Sequence, residues 1–376
     1  MQTRAAILSA FPAERPYATS RPLSIERVEL DDPGRGEVLV RVAAAGLCHS
    51  DLSVINGDRP RPMPMALGHE AAGVVERVGE DVPDLVPGDH VVMVFVPSCG
   101  SCAPCAEGRP ALCEPGAAAN NAGTLLSGAR RIHKADHTIN HHLGCSAFAE
   151  HAVVSHRSLV KVDREMPLER AALFGCAVLT GVGAVVNTAA VRAGETVAVV
   201  GLGGVGLSAV LGALSSGAAQ VIAIDVNPDK AGFAASLGAT AVFDPRGEDT
   251  VAAIRELTRG GVDVAVETAG VAAAFKCAYD VTRRGGRTVT ASLPNPAVTL
   301  PATHVSLVAE ERTVRGSYLG GGVPRRDIAR YMALNAAGRL PVEKLHTGTD
   351  PLDKINEGFD ALAEGATIRR LISIAA

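Results

Sequence analysis

The sequence predicts an α/β protein of two domains: a barrel-like, mostly antiparallel β domain, followed by a doubly wound parallel sheet. Three observations carry this expectation. The 376 residues exceed what one hydrophobic core usually supports, and 47% apolar residues are enough to fill two. From Ala5 to about Gly175 the chain reads as short Val-rich runs broken by Pro-Gly and Gly-Asp pairs, the pattern of strands joined by turns. After Thr196 strand-length apolar runs alternate with helix-length amphipathic segments, the rhythm of a parallel sheet covered by helices.

In chain order, Val38 to Val42, Gly73 to Val78 and His90 to Val94 are strands of the first domain. The second domain alternates Val197–Val200, Val205–Ser215, Val221–Ile224, Lys230–Leu237, Ala241–Phe243, Thr250–Leu257, Val262–Val266, Ala272–Thr282 and Arg287–Ala291. Two further helices, Arg325–Ala337 and Leu352–Ala363, precede a last strand, Leu371–Ile374. The expected division is therefore 1–177 for the β domain, with 320–376 returning to it, and 178–319 for the parallel sheet. His133, His137, His141 and His142 crowd one stretch, read as a polar surface loop rather than a third metal site.

Composition excludes several functions. The net charge of -4 offers no basic surplus for a phosphate backbone, so nucleic acid is not an expected partner. The first residues, Met1 to Leu8, lack the apolar core of a secretory signal, which points to the cytoplasm and reduced thiols. The uncharged stretch from Thr196 to Ile224 contains six glycines and resolves into strand, turn, helix and strand, so no membrane span is expected.

Gly201-Leu202-Gly203-Gly204-Val205-Gly206 directly follows an apolar strand and opens an apolar helix. Glycines there permit a tight turn, close approach of backbone to a pyrophosphate and packing of helix on strand, while the helix N-terminus faces the anion. Asp225 ends the second strand, 19 residues after Gly206, where a carboxylate accepts from ribose hydroxyls and repels a 2′-phosphate. NAD is thus expected over NADP. A turn or cap role before Asn227-Pro228 is the competing reading of Asp225.

Cysteines supply the second chemistry. Cys99, Cys102, Cys105 and Cys113 form one tight cluster whose four thiolates would close a tetrahedral zinc shell, as a structural site does. An iron–sulfur run is the rival, but it places three residues before its last cysteine and a proline after it; Cys113 has seven before it and Glu114 behind. Cys48, His69 and Cys176 are scattered; two Cys and one His would leave a fourth position for water or substrate. Standing alone, His69 would read as a core histidine and Cys176 as a small buried hydrophobe.

Taken together, Gly46-Leu-Cys-His-Ser-Asp51, Gly68-His-Glu70, the four-cysteine lobe, Gly175-Cys176, the Gly201–Gly206 turn and Ile355-Asn-Glu-Gly-Phe359 resemble, in order along nearly the whole chain, the zinc-dependent medium-chain alcohol dehydrogenases. The two-Cys, one-His set is itself that family's hallmark. The resemblance implies catalytic zinc on Cys48, His69 and Cys176, with Glu70 as an occasional ligand, and structural zinc on Cys99, Cys102, Cys105 and Cys113. Asp51 would orient His69 through its other ring nitrogen. Removing an alcohol proton near pH 7 resembles lowering the pKa of water from about 16 to about 7, on the order of 12 kcal/mol, which a Lewis acid supplies and no serine does. The implied activity is oxidation of a primary alcohol to an aldehyde, or the reverse, with hydride transfer to or from NAD.

The same resemblance makes Ser50 the hydroxyl that passes the proton outward, although Ser53 stands where many relatives have the next histidine. It brings His49 and Arg369 to the pyrophosphate and Lys230 to the adenosine ribose, with solvated surface charge as the competing reading of each. Phe95 and Leu143 match pocket-lining positions, and His142 stands where relatives often carry an aromatic ring. No arginine follows Cys113 closely, which disfavours a glutathione-adduct formaldehyde dehydrogenase. A zinc-free quinone or enoyl reductase of the same fold would lack these ligands, and a non-catalytic or zinc-ribbon role would leave the open site or the glycine turn idle. The 62 residues between Cys113 and Cys176 leave room for the loop of the dimeric relatives, so a homodimer is expected.

Overall fold

The structure, a computed structural model, describes residues 1–374. It resolves into two compact units, the first made of Met1–Cys176, Val323–Ala329 and the chain from His346 onward, the second of Ala177–Gly322 and Arg330–Leu345.

In the first unit five strands close a barrel: Gln2–Leu8, Leu23–Leu30, Ile132–Lys134, His137–His141 and Met65–Ala66. Its interior is filled by Ile7, Val28, Leu30, Leu39, Ile132, Ile139 and Val153, all buried. All but one of its pairings are antiparallel; Met65–Ala66 runs parallel to Asn140 and His141. Beside it lies a seven-stranded sheet in the order Leu159–Val162, His90–Met93, Ala71–Val78, Glu37–Gly46, Arg369–Ser373, His346–Pro351, with His151–Ser155 also paired to Glu37–Gly46. The strand Glu37–Gly46 thus serves three neighbours at once. Its pairing Leu371↔Gly46, continued by the bond from Leu47 N–H to Arg370 C=O (3.0 Å), brings Arg369 alongside the turn that carries Cys48.

In the second unit six parallel strands run in the order Ala241–Phe243, Gln220–Ile224, Thr196–Val200, Val262–Glu267, Thr282–Thr290, Thr313–Gly316. The central three are buried almost end to end, as expected where both sheet faces are covered. Strand order reverses between Thr196–Val200 and Val262–Glu267, the position where such sheets bind ligands beyond the strands' carboxyl ends. The long uncharged stretch is the strand Thr196–Val200, the helix Gly204–Ser215 and the strand Gln220–Ile224, as its sequence suggested. Among the described residues no single helix is long and apolar enough to cross a membrane.

The division differs from expectation at Ala177 and residues 320–322, which lie with the second unit, and over one longer stretch. Residues 330–345, assigned from sequence to the first domain, lie with the second unit, so the seam falls inside the helix Pro324–Ala336. Buried Leu340, Val342 and Leu345 anchor that stretch, and Ser215 donates its hydroxyl to Arg339 C=O (2.6 Å). An unbroken helix gives no sequence sign that its two halves pack on different cores.

Candidate metal centres and dinucleotide turn

The cysteine lobe is a short loop followed by the helix Glu114–Ala122. Gly100, at φ +81°, turns the chain between Cys99 and Cys102. All four sulfurs of Cys99, Cys102, Cys105 and Cys113 lie within 4.8 Å of one another. A tetrahedral shell with Zn–S near 2.3 Å needs sulfurs about 3.8 Å apart, so the set fits zinc after small adjustment. Backbone N–H groups already face the sulfurs: Cys99 N to Cys113 Sγ at 3.1 Å, Cys102 N to Cys99 Sγ at 3.3 Å, Gly116 N to Cys113 Sγ at 3.4 Å. The N–H groups of Ser101 and Cys102 draw the Cys99 thiol down to about 6, whereas burial pushes Cys105 up to about 12. Cys113 also caps the helix that follows it.

The second centre assembles from three distant segments. Cys48 is the N-cap of the helix His49–Ile55, at the end of the strand Glu37–Gly46. His69 follows Gly68, whose φ of +98° and missing Cβ let the chain pass within contact of Phe148; a Cβ there would meet Phe148 N at 2.4 Å. Cys176 sits between the short helices Leu173–Gly175 and Ala177–Gly183. The ligand atoms of the three lie within 4.8 Å of one another, with the two sulfurs 4.0 Å apart. His69 is fully buried and its Nε2 has no hydrogen-bond partner among the described residues. A buried imidazole nitrogen with no acceptor or donor, aimed among two thiols, fits a metal ligand. Sharing a proton with Cys176 holds Cys48 well below the usual thiol range and raises Cys176 well above it. Two buried thiolates this close need a cation before both can ionise.

His69 is oriented from behind. Its Nδ1 lies 3.1 Å from Asp51 Oδ1, which also accepts from Gly68 N–H at 3.1 Å. Burial pushes Asp51 up, but His69 and His142 outweigh it and hold the carboxyl well below the ordinary range. Phe95 and His142 stand edge-on to the His69 ring, with centroids 5.3 and 5.6 Å away. Phe95 and Leu143 are each 7% exposed, and Leu143 is in the left-handed region at φ +51°. Asn120, on the helix capped by Cys113, donates to Phe95 C=O at 2.8 Å.

Several candidates occupy other environments than the sequence suggested. His141 and His142 are buried, which corrects the surface-loop reading of the four histidines; only His133 and His137 keep substantial exposure. His141 accepts from Arg131 N–H (3.1 Å) at the barrel, and burial with Arg130 and Arg131 nearby draws it down to about 3. Ile139 and Leu143, bracketing the pair, were the available sign of burial. Arg369, expected at a pyrophosphate, is 4% exposed and pairs with fully buried Glu70. Gly46 makes room for them: a Cβ there would meet Glu70 Oε1 at 2.4 Å. His49 is exposed, and Ser50 and Ser53 are half-buried on the same short helix.

In the second unit the Gly201–Gly206 turn leads from its strand into the helix Gly204–Ser215. The three glycines differ in kind. Gly201 has φ +89°; a Cβ on Gly206 would lie 1.8 Å from Gly201 O; a Cβ on Gly203 would meet nothing within 4 Å. The outer two close the turn, and open space over Gly203 at a helix N-terminus fits a pyrophosphate. Gly204 and Val205 are the first helical residues. Asp225 accepts from Leu202 N–H (2.6 Å) and Asn227 N–H (2.8 Å), so it braces the turn, while Asn227 rather than Asp225 caps the next helix. A carboxylate has further lone pairs for ribose hydroxyls. Lys230 is half-buried on that helix, its N–H given to Asn227.

A four-thiol cluster, a thiol–imidazole cluster that could hold a metal ion and a glycine turn at a helix N-terminus occur in one chain, a combination suited to an oxidoreductase. Residues 34–164 match the alcohol dehydrogenase GroES-like domain and residues 204–337 the zinc-binding dehydrogenase model. The chain is 40% identical over 376 residues to the NDMA-dependent alcohol dehydrogenase of Amycolatopsis methanolica, covering 99% of both. Solved structures similar over 100% of both chains include an alcohol dehydrogenase zinc-binding domain protein from Burkholderia ambifaria (TM-score 0.94, 36% identity) and benzyl alcohol dehydrogenase from Acinetobacter calcoaceticus (TM-score 0.93, 32% identity). The chain belongs to the zinc-binding medium-chain alcohol dehydrogenase family.

Proposed function

We propose that the protein is a zinc- and NAD-dependent alcohol dehydrogenase that converts a primary alcohol to its aldehyde, or the reverse. The observation that carries this is the convergence of Cys48, His69 and Cys176, with His69 Nε2 unpartnered. When bound, zinc supplies the Lewis acidity that makes the alcohol proton labile, and NAD accepts the hydride. The chain's own part is to hold and shape. Cys48, His69 and Cys176 fix the metal; Asp51 fixes the His69 ring; Phe95 and Leu143 give an apolar wall that excludes water. Ser50 takes the proton outward, and since the Ser53 hydroxyl is too weak a base to end the relay, the proton passes on to water. In the second unit Gly203 and the helix N-terminus receive the pyrophosphate and Asp225 the ribose.

Zinc-free reduction of a quinone or activated alkene gives this ligand set no purpose. A homodimer accompanies the proposal: Leu300, Val305 and Val308 are 54%, 73% and 65% exposed near the edge strand Thr313–Gly316, an apolar surface suited to a second copy. The deciding experiment combines metal analysis with a screen of graded alcohols and aldehydes read by NADH absorbance. Two zinc ions per chain and NADH formed from primary alcohols are expected. One or no zinc, or no NADH from any alcohol, refutes the reading. The screen is repeated with NDMA because the Amycolatopsis relative is named for dependence on it; turnover only with NDMA would replace free NAD as electron acceptor.

A further inference from the structure

Next to the open centre lies a histidine that no step above uses. His142 is 1% exposed, and its Nδ1 is 3.1 Å from Asp51 Oδ1, the separation at which His69 Nδ1 meets the same carboxylate from another side. The rings of His142 and His69 cross at 85°. The backbone of His142 is fixed at both ends: its N–H donates to Ser146 Oγ (3.1 Å) and its C=O accepts from Cys145 N–H (3.0 Å). Only the ring is left to turn. Its Nδ1 is close to Asp51 but off the hydrogen-bond direction and has no other partner among the described residues, while buried Asp51 Oδ2, 3.1 Å from His69 Nδ1, accepts no well-directed hydrogen bond among them. Buried polar atoms are rarely left so. A carboxylate only accepts, so a ring nitrogen this close to it carries its proton on that side.

We propose that His142 is a positioning residue, the second of two imidazoles that clamp Asp51, and that the clamp sets the tilt of His69 and hence how firmly the Cys48–His69–Cys176 centre holds zinc. Residues behind a metal-bound histidine commonly govern metal affinity. Here Asp51 is held by Gly68 N–H and His69, and a small ring rotation adds His142. The inference rests on the metal reading above and extends it to one further side chain.

Two variants test it on the full chain with both zincs loaded. His142→Leu keeps bulk and loses the donor; His142→Asn sets an amide N–H close to the Nδ1 place and keeps it. Zinc release to a competing chelator is followed with a chromogenic indicator, the four-cysteine lobe serving as internal reference. For His142→Leu the catalytic zinc should leave about 10-fold faster with the lobe zinc unchanged, while His142→Asn stays within about 3-fold of the native protein. Equal release from His142→Leu and the native chain overturns the clamp, as does release from His142→Asn as fast as from His142→Leu. Should His142→Leu not fold, His142→Asn decides alone: native-like retention supports the clamp and a loss of about 10-fold overturns it. Three zinc ions per native chain would mean that Asp51, His69 and His142 hold an ion themselves, which also overturns it. A single zinc in the native chain would sink the metal reading beneath it.

Discussion

The four-cysteine lobe takes all its ligands from residues 99–113, whereas the open centre takes Cys48, His69 and Cys176 from three segments that only strand pairing brings together. In the lobe, ligands and the backbone N–H groups that support them all lie within residues 99–116, so the site comes close to being a property of the local chain. In the open centre each ligand depends on a different element: a helix N-cap, a glycine turn and a junction between short helices. The first arrangement is suited to holding an ion and little else. The second leaves a buried imidazole nitrogen unpartnered beside two thiols and can accept a fourth, exchangeable ligand.

If this contrast holds, Cys176→Ser should abolish alcohol oxidation by at least about 1000-fold, roughly 4 kcal/mol in the barrier, while NAD binding and the lobe zinc survive. Retained turnover would erase the distinction between the two sites. Cys113→Ser should act in the opposite way, emptying the lobe while the serine hydroxyl still caps the helix Glu114–Ala122, with a stability loss of about 3 kcal/mol from the lost metal site seen by calorimetry. Unchanged stability would show that the lobe holds nothing up. Asp51→Asn removes the charge behind His69 and should weaken the catalytic zinc by about 10- to 100-fold in chelator competition, leaving the lobe untouched. Equal weakening of both sites would mean that they are not separate. The smallest effect concerns the second unit: Asp225→Ala should cost about 10-fold in NAD affinity by titration, one good charge-assisted hydrogen bond. NADP should lose less, because the lost carboxylate also repelled its phosphate; equal losses would leave Asp225 only its brace on Leu202.

What could be read from sequence follows the same contrast. The parallel sheet was legible because each strand, turn and helix announces itself within a few residues, and the lobe because its spacing is its geometry. The open centre was legible only through resemblance: nothing in the spacing of Cys48, His69 and Cys176 says that they meet. Arg369 and Glu70, 299 positions apart, pair because the last strand lies beside Glu37–Gly46, a register that no local pattern encodes. His142 drew two readings, a pocket position by resemblance and a solvated loop by its three histidine neighbours, and local pattern favoured the wrong one because burial of His141 and His142 comes from distant elements.

The strand Glu37–Gly46, shared by three partners, has a kinetic consequence. Slipping any of its pairings by one residue would turn alternate side chains to the wrong face and carry Cys48 out of reach of His69. The lobe can therefore capture its ion from a chain still largely unfolded, because closing so short a loop costs little entropy. With zinc bound as proposed, the open centre should wait until the sheet is in register, so that in refolding its ion is expected to arrive last and its uptake to report that the first unit is finished.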